Sequence, residues 1–266
     1  MSRLLDGYAI LPGAEAWSAP GHSARARTAV VVVHGFSGDP ISMRPLAAGL
    51  AERGFRVEMP RLPGHGTSWR DLMRTRYDDW HAEVARAFDA ASANSDRTVL
   101  VGLSGGGTLS IDLASGERRG AAGVVAINAQ ILDREGFLMK LAPVIEKLVP
   151  AVPSAAAGLS KNDIAKPAVR ESAYGWVPTR AGGSFVRALP RIRGQLGNLT
   201  APALIAYSPQ DHSVPPENSL YLLRVLGARA SALVLERSYH VATLDYDAPL
   251  LEQRIAEFCD ALNPAR

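Results

Sequence analysis

Apolar and polar positions along this chain switch repeatedly between two regimes. Short β-branched runs stand between segments whose apolar residues recur every three or four positions. Residues 28–34 open the series, with valines at 30, 31, 32 and 33, the pattern of a strand covered on both faces. Residues 43–53 read as a helix with Leu46 and Leu50 on one side, and residues 55–59 as a strand ended by Pro60. A helix is expected over 79–91, a strand over 98–101, a helix over 105–114 and a strand over 123–128. Strand followed by crossover helix, repeated, predicts an α/β fold with a mostly parallel central sheet flanked by helices.

The rhythm breaks over residues 129–185. No strand is evident there, prolines recur at Pro143, Pro150, Pro153, Pro167 and Pro178, and Leu138, Leu141, Ile145, Leu148 and Val149 keep helical spacing. So long an interval exceeds a crossover connection and predicts an inserted helical cap, with the core formed by 1–128 and 186–266. The alternation resumes with a strand at 203–207, a helix at 216–226, a strand at 231–235 and a helix at 249–262. The apolar side of 138–152 has two possible uses, packing on the body or touching a membrane or micelle surface.

Composition narrows the classes. A chain of 266 residues, 47% hydrophobic and 21% charged, suits one large globular domain. The net charge is only +3, and the basic residues are scattered among acids without an arm or an aromatic-interleaved patch. That argues against a nucleic-acid partner. The single cysteine, Cys259, excludes an internal disulfide. No segment approaches the roughly 18 apolar residues of a membrane span, and no basic-then-hydrophobic leader opens the chain, so a cytoplasmic protein is expected. Nothing in the sequence sets its oligomeric state.

The chemistry centres on Gly102-Leu103-Ser104-Gly105-Gly106. G-x-S-x-G between a strand and a helix marks a sharp turn that exposes the serine as a nucleophile. Small residues are needed because side chains at 102 and 106 would collide in the bend. A serine nucleophile needs a base, an acid and an oxyanion hole. Of six histidines, His240 lies on a loop between the last strand and the last helix, the edge to which Ser104 also belongs. His65, in Pro63-Gly64-His65-Gly66, suits a tight turn with its ring bonded to backbone. Asp211, at a strand end between serine and histidine in chain order, fits the acid. Asp245 and Asp247 are alternatives that read better as N-terminal caps of the last helix. The backbone N–H groups of Phe36 and Gly105 are the expected oxyanion donors. Ser104 would attack an acyl carbonyl while His240 takes its proton and Asp211 orients the imidazole. This scheme calls for no metal or other cofactor, and no His, Cys or Asp cluster has ligand spacing.

These elements in this order resemble the α/β-hydrolase superfamily over nearly the whole chain. Val33-His34-Gly35-Phe36-Ser37-Gly38, Leu62-Pro63-Gly64-His65-Gly66-Thr67, Tyr77-Asp78-Asp79-Trp80 and Ile127-Asn128-Ala129 carry the likeness. So do the segments 211–216 and 238–245, which narrow it to the bacterial monoacylglycerol lipases and related small carboxylesterases. The resemblance implies a cap over an apolar acyl tunnel and activity on monoacylglycerols or short- to medium-chain esters. By local match it also implies that Asn128 and Glu171 hold the glycerol end of the substrate. One departure is Gly105, where the subgroup usually carries a larger residue, often methionine or leucine. A general carboxylesterase or a thioesterase would use the same triad, and a non-catalytic ligand-binding module on the same scaffold is a more remote reading.

Overall fold

A computed structural model describes residues 7–116, 120–133, 146, 148–157 and 162–262. In chain order, β1 (Trp17–Ala19), β2 (Thr28–Val33), α1 (Arg44–Glu52), β3 (Arg56–Met59), α2 (Trp69–Leu72), α3 (Tyr77–Ser92), β4 (Arg97–Leu103), α4 (Gly105–Ser115) and β5 (Gly123–Ile127) come first. Then follow β6 (Ala151–Pro153), β7 (Trp176–Pro178), α5 (Thr179–Gln195), β8 (Ala203–Tyr207), α6 (Glu217–Leu226), β9 (Ala230–Val234) and α7 (Ala248–Ala261). The main sheet has the order β1-β3-β2-β4-β5-β8-β9. Its strands run parallel except β1, which is antiparallel to β3.

The period of two along each central strand sends alternate residues to opposite helical layers. Ala29, Val31 and Val33 of β2, Leu100 of β4 and Val124 of β5 pack with α3, α4, α5 and α6. Val30 and Val32 of β2, Val99 and Val101 of β4 and Val125 of β5 pack with α1 and α7. Both faces are covered, which is why these strands read as continuous apolar runs. Register pairs Val33 with Gly102, Leu103 with Ile127, and Ile127 with Ala206. The carboxyl ends of β2, β4, β5 and β8 therefore meet along one edge, where open α/β sheets place their sites.

Three features depart from the sequence expectation. The edge strand β1 is three residues long, too short to carry a period. Within 129–185, where no strand was expected, β6 and β7 form a small antiparallel pair. Helix α5 runs across the expected boundary at 185/186, with Ala181, Phe185, Leu189 and Ile192 buried along one face and Pro190 inside it. It is bound to the body through the buried Asp112 of α4, whose carboxylate accepts two bonds from Arg191 at 2.8 and 2.7 Å and one from Tyr77 at 2.8 Å. Leu138, Leu141 and Ile145 lie outside the described residues, while Leu148 is 78% and Val149 39% exposed. Among the described residues no helix is long and apolar enough to cross a membrane.

Candidate active site

Ser104 sits at the joint between β4 and α4 with φ 53° and ψ −121°, a conformation L-residues adopt only when their surroundings enforce it. The surroundings here are backbone. A Cβ on Gly102 would lie 2.2 Å from the Gly106 carbonyl oxygen, and one on Gly106 would lie 2.3 Å from that of Val33. No side chain fits at either position, so the glycines of the motif are a packing requirement. The Ser104 N–H donates to the Ile127 carbonyl at 2.8 Å, and the Thr108 N–H donates to the Ser104 carbonyl at 3.1 Å. The nucleophile candidate is thus stitched to β5 and to the first turn of α4, whose positive dipole end faces the same edge.

Phe36 follows β2 on the neighbouring loop. A Cβ on Gly105 would stand 3.1 Å from both the backbone N and the Cβ of Phe36, and 3.5 Å from the Phe185 ring. The two residues expected to supply oxyanion N–H groups are therefore packed side by side. The same geometry makes the space at 105 tight, since a Cβ there would press on Phe36 and touch Phe185, whose rings stack 6.0 Å apart at 13°. Beneath them, His34 donates from Nδ1 to the Gly35 carbonyl at 2.9 Å and accepts the Leu62 N–H on Nε2 at 3.1 Å. His65 donates from Nδ1 to the Pro63 carbonyl at 3.0 Å. Burial keeps both rings neutral, taking His34 down to about 4 and His65 well below the ordinary histidine range.

His240 lies between β9 and α7, its side chain 11% exposed. Its Nδ1 donates to Asp211 Oδ2 at 2.7 Å. The other Asp211 oxygen accepts the N–H groups of Ser213 at 2.8 Å and Val214 at 2.7 Å. With its carboxylate saturated in this way, Asp211 fixes the tautomer that leaves Nε2 free to take a proton. Burial pushes the His240 pKa down. The Asp211 charge and hydrogen bond, then Glu171 and Asp163, outweigh it, so the net shift is upward.

Side chains from the end of β5 and from within the loop itself hold the His240 loop. Asn128, which has a φ of 46°, accepts the Ser208 N–H at 2.8 Å and donates to the His240 carbonyl at 2.8 Å and to Ser208 Oγ at 3.2 Å. The amide expected to meet substrate is thus engaged with protein on both its oxygen and its nitrogen. Asp245 is fully buried and accepts four backbone N–H groups, from Ala165 at 2.6 Å, Lys166 at 3.0 Å, Tyr239 at 2.9 Å and Tyr246 at 2.8 Å. Asp247 accepts from the Arg237 N–H at 2.8 Å and Ser238 Oγ at 3.0 Å, and its side chain makes no cap bond to α7. Asp247 thus stands at the N-cap position of α7, as read from the sequence, its carbonyl accepting the Leu251 N–H at 2.8 Å, but its side chain, like that of Asp245, is turned to the histidine loop.

Glu171 lies on a segment, 162–174, that crosses the same edge. The Tyr174 N–H donates to the Ser37 carbonyl at 3.0 Å, its hydroxyl to the Gly64 carbonyl at 3.0 Å, and Ser172 Oγ to Asp39. Glu171 Oε1 is 3.2 Å from where a Cβ on Gly38 would stand. Burial raises its carboxyl to about 7; the His240 charge opposes that rise, while Asp39 and Asp163 add to it. Among the described residues no group of three or more His, Cys, Asp or Glu side chains could hold a metal ion. Asp163, Asp39 and Ser208 were not singled out from the sequence. Asp163 lies where no periodicity marks an element, so no local signal pointed to it.

Residues 24–247 match the Hydrolase_4 family, described as serine aminopeptidase, S33. A thermostable monoacylglycerol lipase from a Bacillus species is 34% identical over 95% of this chain and 97% of its own length. A Bacillus subtilis carboxylesterase is 24% identical over 88% of this chain and 93% of its own. The solved structure of a metagenome-derived lipolytic enzyme covers 95% of this chain and 100% of its own, with 33% identity and a TM-score of 0.87. That of a monoacylglycerol lipase from Paleococcus ferrophilus, 20% identical over 94% of this chain and 100% of its own, shares the fold with a TM-score of 0.76. By its family match and its near-complete overlap with these relatives, the chain belongs to the Hydrolase_4 family and has the α/β-hydrolase fold.

Proposed function

We propose that this chain is a serine carboxylic ester hydrolase that cleaves monoacylglycerols to glycerol and fatty acid. The observation that carries the reading is the buried His240–Asp211 pair, 2.7 Å apart, brought to the sheet edge where Ser104 occupies its strained turn. Ser104 attacks the ester carbonyl as His240 Nε2 takes its proton, and the N–H groups of Phe36 and Gly105 hold the oxyanion. The alcohol leaves with the proton from His240. Water, activated by the same base, then releases the acid from the acyl-enzyme. The described parts of 129–185 serve as its cap.

The family description names a peptidase, but the 34% relative of nearly equal length is a lipase, and the substrate assignment follows that relative. Glu171 is the polar group for the glycerol hydroxyls, being partly buried beside the base. Asn128 acts instead by positioning the His240 and Ser208 loops. The carboxylesterase relative supports a second reading, hydrolysis of simple short-chain esters.

Fluorophosphonate labelling tests the mechanism. The wild type reacts at Ser104 and Ser104→Ala does not; label on another residue of that variant overturns the triad. A panel of monoacylglycerols against matched methyl esters tests the substrate. A preference for the methyl esters replaces the first reading with the second.

A further inference from the structure

The base–acid pair is gripped by a residue outside the triad, on the segment that returns from the cap. Asp163 accepts the His212 N–H on Oδ2 at 2.9 Å and His212 Nδ1 on Oδ1 at 2.7 Å. Its own backbone carbonyl accepts the Val241 N–H at 3.1 Å. His212 is the covalent neighbour of Asp211, and Val241 that of His240. The His212 ring also packs edge-to-face with that of Tyr239, the other neighbour of His240, with centroids 4.6 Å apart at 87°. The contacts close a ring, Asp163 to His212 and Asp211, across the 2.7 Å bond to His240, and through Val241 back to Asp163.

The burial pattern shows which partner anchors and which adapts. The Asp163 side chain is 4% exposed and that of His212 60%. A buried carboxylate has to be satisfied by fixed donors, and both donors are supplied by one residue whose backbone is continuous with the acid. The Asp163 segment is itself tied down through Ala165 and Lys166 on Asp245, and through Tyr174 on Ser37 next to the oxyanion loop. From this geometry, and resting on the triad of the proposed function, we infer that Asp163 is a positioning residue for catalysis, setting the register of Asp211 against His240 through His212 and Val241.

Two variants separate positioning from scaffolding. Asp163→Asn removes the charge and one acceptor; His212→Ala removes the ring bond to Oδ1 and the packing on Tyr239, while the backbone N–H bond to Oδ2 and the charge remain. Small misplacements of reacting groups cost on the order of 100-fold. Asp163→Asn is therefore expected to lower kcat about 10- to 100-fold, with KM changed less than about 2-fold. The acid groups facing His240 are Asp211, Glu171 and Asp163, and each favours its protonated form. Loss of the Asp163 charge therefore moves the acid limb of kcat/KM to lower pH. His212→Ala is expected to lower kcat by about 3- to 10-fold without moving that limb, and the double variant to be no worse than Asp163→Asn alone, as for groups acting as one unit.

Wild-type kcat in Asp163→Asn overturns the inference. So does a fall in kcat that tracks a lower Tm, with the acid limb unmoved and His212→Ala fully active. If Asp163→Asn does not fold, His212→Ala decides alone, since its side chain is exposed and its kcat either falls or does not. A fully active Asp163→Asn alongside an unlabelled Ser104→Ala removes this inference and leaves the proposed function standing.

Discussion

The two halves of the site are built by opposite means. On the nucleophile side, Ser104 is held by regular structure: a buried strand, a glycine-lined turn and a helix, all of whose residues are buried. On the base side, His240 lies on a loop without regular structure, fixed by the side chain of Asn128 from the end of β5 and by those of Asp245 and Asp247 from farther along the same loop. Backbone packing makes the first half rigid through steric exclusion. Carboxylates and an amide make the second half rigid through directed hydrogen bonds, which are worth most when buried and most costly when broken. The proposed acyl transfer needs both halves held to better than about 1 Å, so each should fail in its own manner.

The largest effect is expected on the nucleophile side. Gly106→Ala places a methyl 2.3 Å from the Val33 carbonyl, so the elbow has to open, at a cost of about 4 kcal/mol or more. A thermal melt should show loss of the folded state or a large drop in Tm, and a Tm near wild type would mean that the elbow is softer than its packing implies. On the base side, Asp245→Ala orphans four backbone N–H groups at once. It is expected to cost about 3 kcal/mol in urea unfolding and to lower kcat about 100-fold. If stability falls while kcat holds, the loop is not what positions His240.

Asn128→Ala is the sharper probe of the comparison. As a tie between loops it lowers kcat about 10-fold with KM unchanged. A rise in KM for monoacylglycerols at constant kcat would return Asn128 to the substrate. Glu171→Gln is the mildest. Its carboxyl is raised from 4.5 to about 7, so the folded protein binds that proton more tightly than the unfolded chain. The stabilisation is complete below pH 4.5 and is lost as the pH rises through 7. Glu171→Gln should therefore gain Tm over wild type at pH 8.5 and much less at pH 5, and its KM for monoacylglycerols should rise about 3-fold. Equal Tm differences at the two pH values would place the carboxyl outside the buried environment described.

Much of this molecule was legible beforehand. Residues 28–34, 98–101 and 123–128 were read as strands because strands buried on both faces leave uninterrupted β-branched runs. The glycines around Ser104 were read as a steric need, and the 2.2 and 2.3 Å approaches at 102 and 106 are that need in atomic form. The Asp211 and His240 positions followed from chain order at strand ends. Asp163 is not legible in the sequence, nor are the bonds that Asp245, Asp247 and Asn128 make to the histidine loop, because a carboxylate or amide on a loop has the same local sequence whether it caps a helix, meets a ligand or fastens another stretch of chain.

Gly105 shows where that boundary lies. In the sequence it is a departure with no local cause; in the fold it stands against Phe36 and Phe185, the second brought from far along the chain on α5. The sheet, the elbow and the order of the chemical groups are written in the sequence, since burial leaves a period along each element and the elbow's glycines stand within one short motif. Which polar side chains grip the base loop and which rings stand beside the nucleophile becomes visible once the chain is folded. Asn128 and Phe185 reach the site from far along the chain, and the bonds of Asp245 and Asp247 depend on a loop path without periodicity, so no local pattern encodes them.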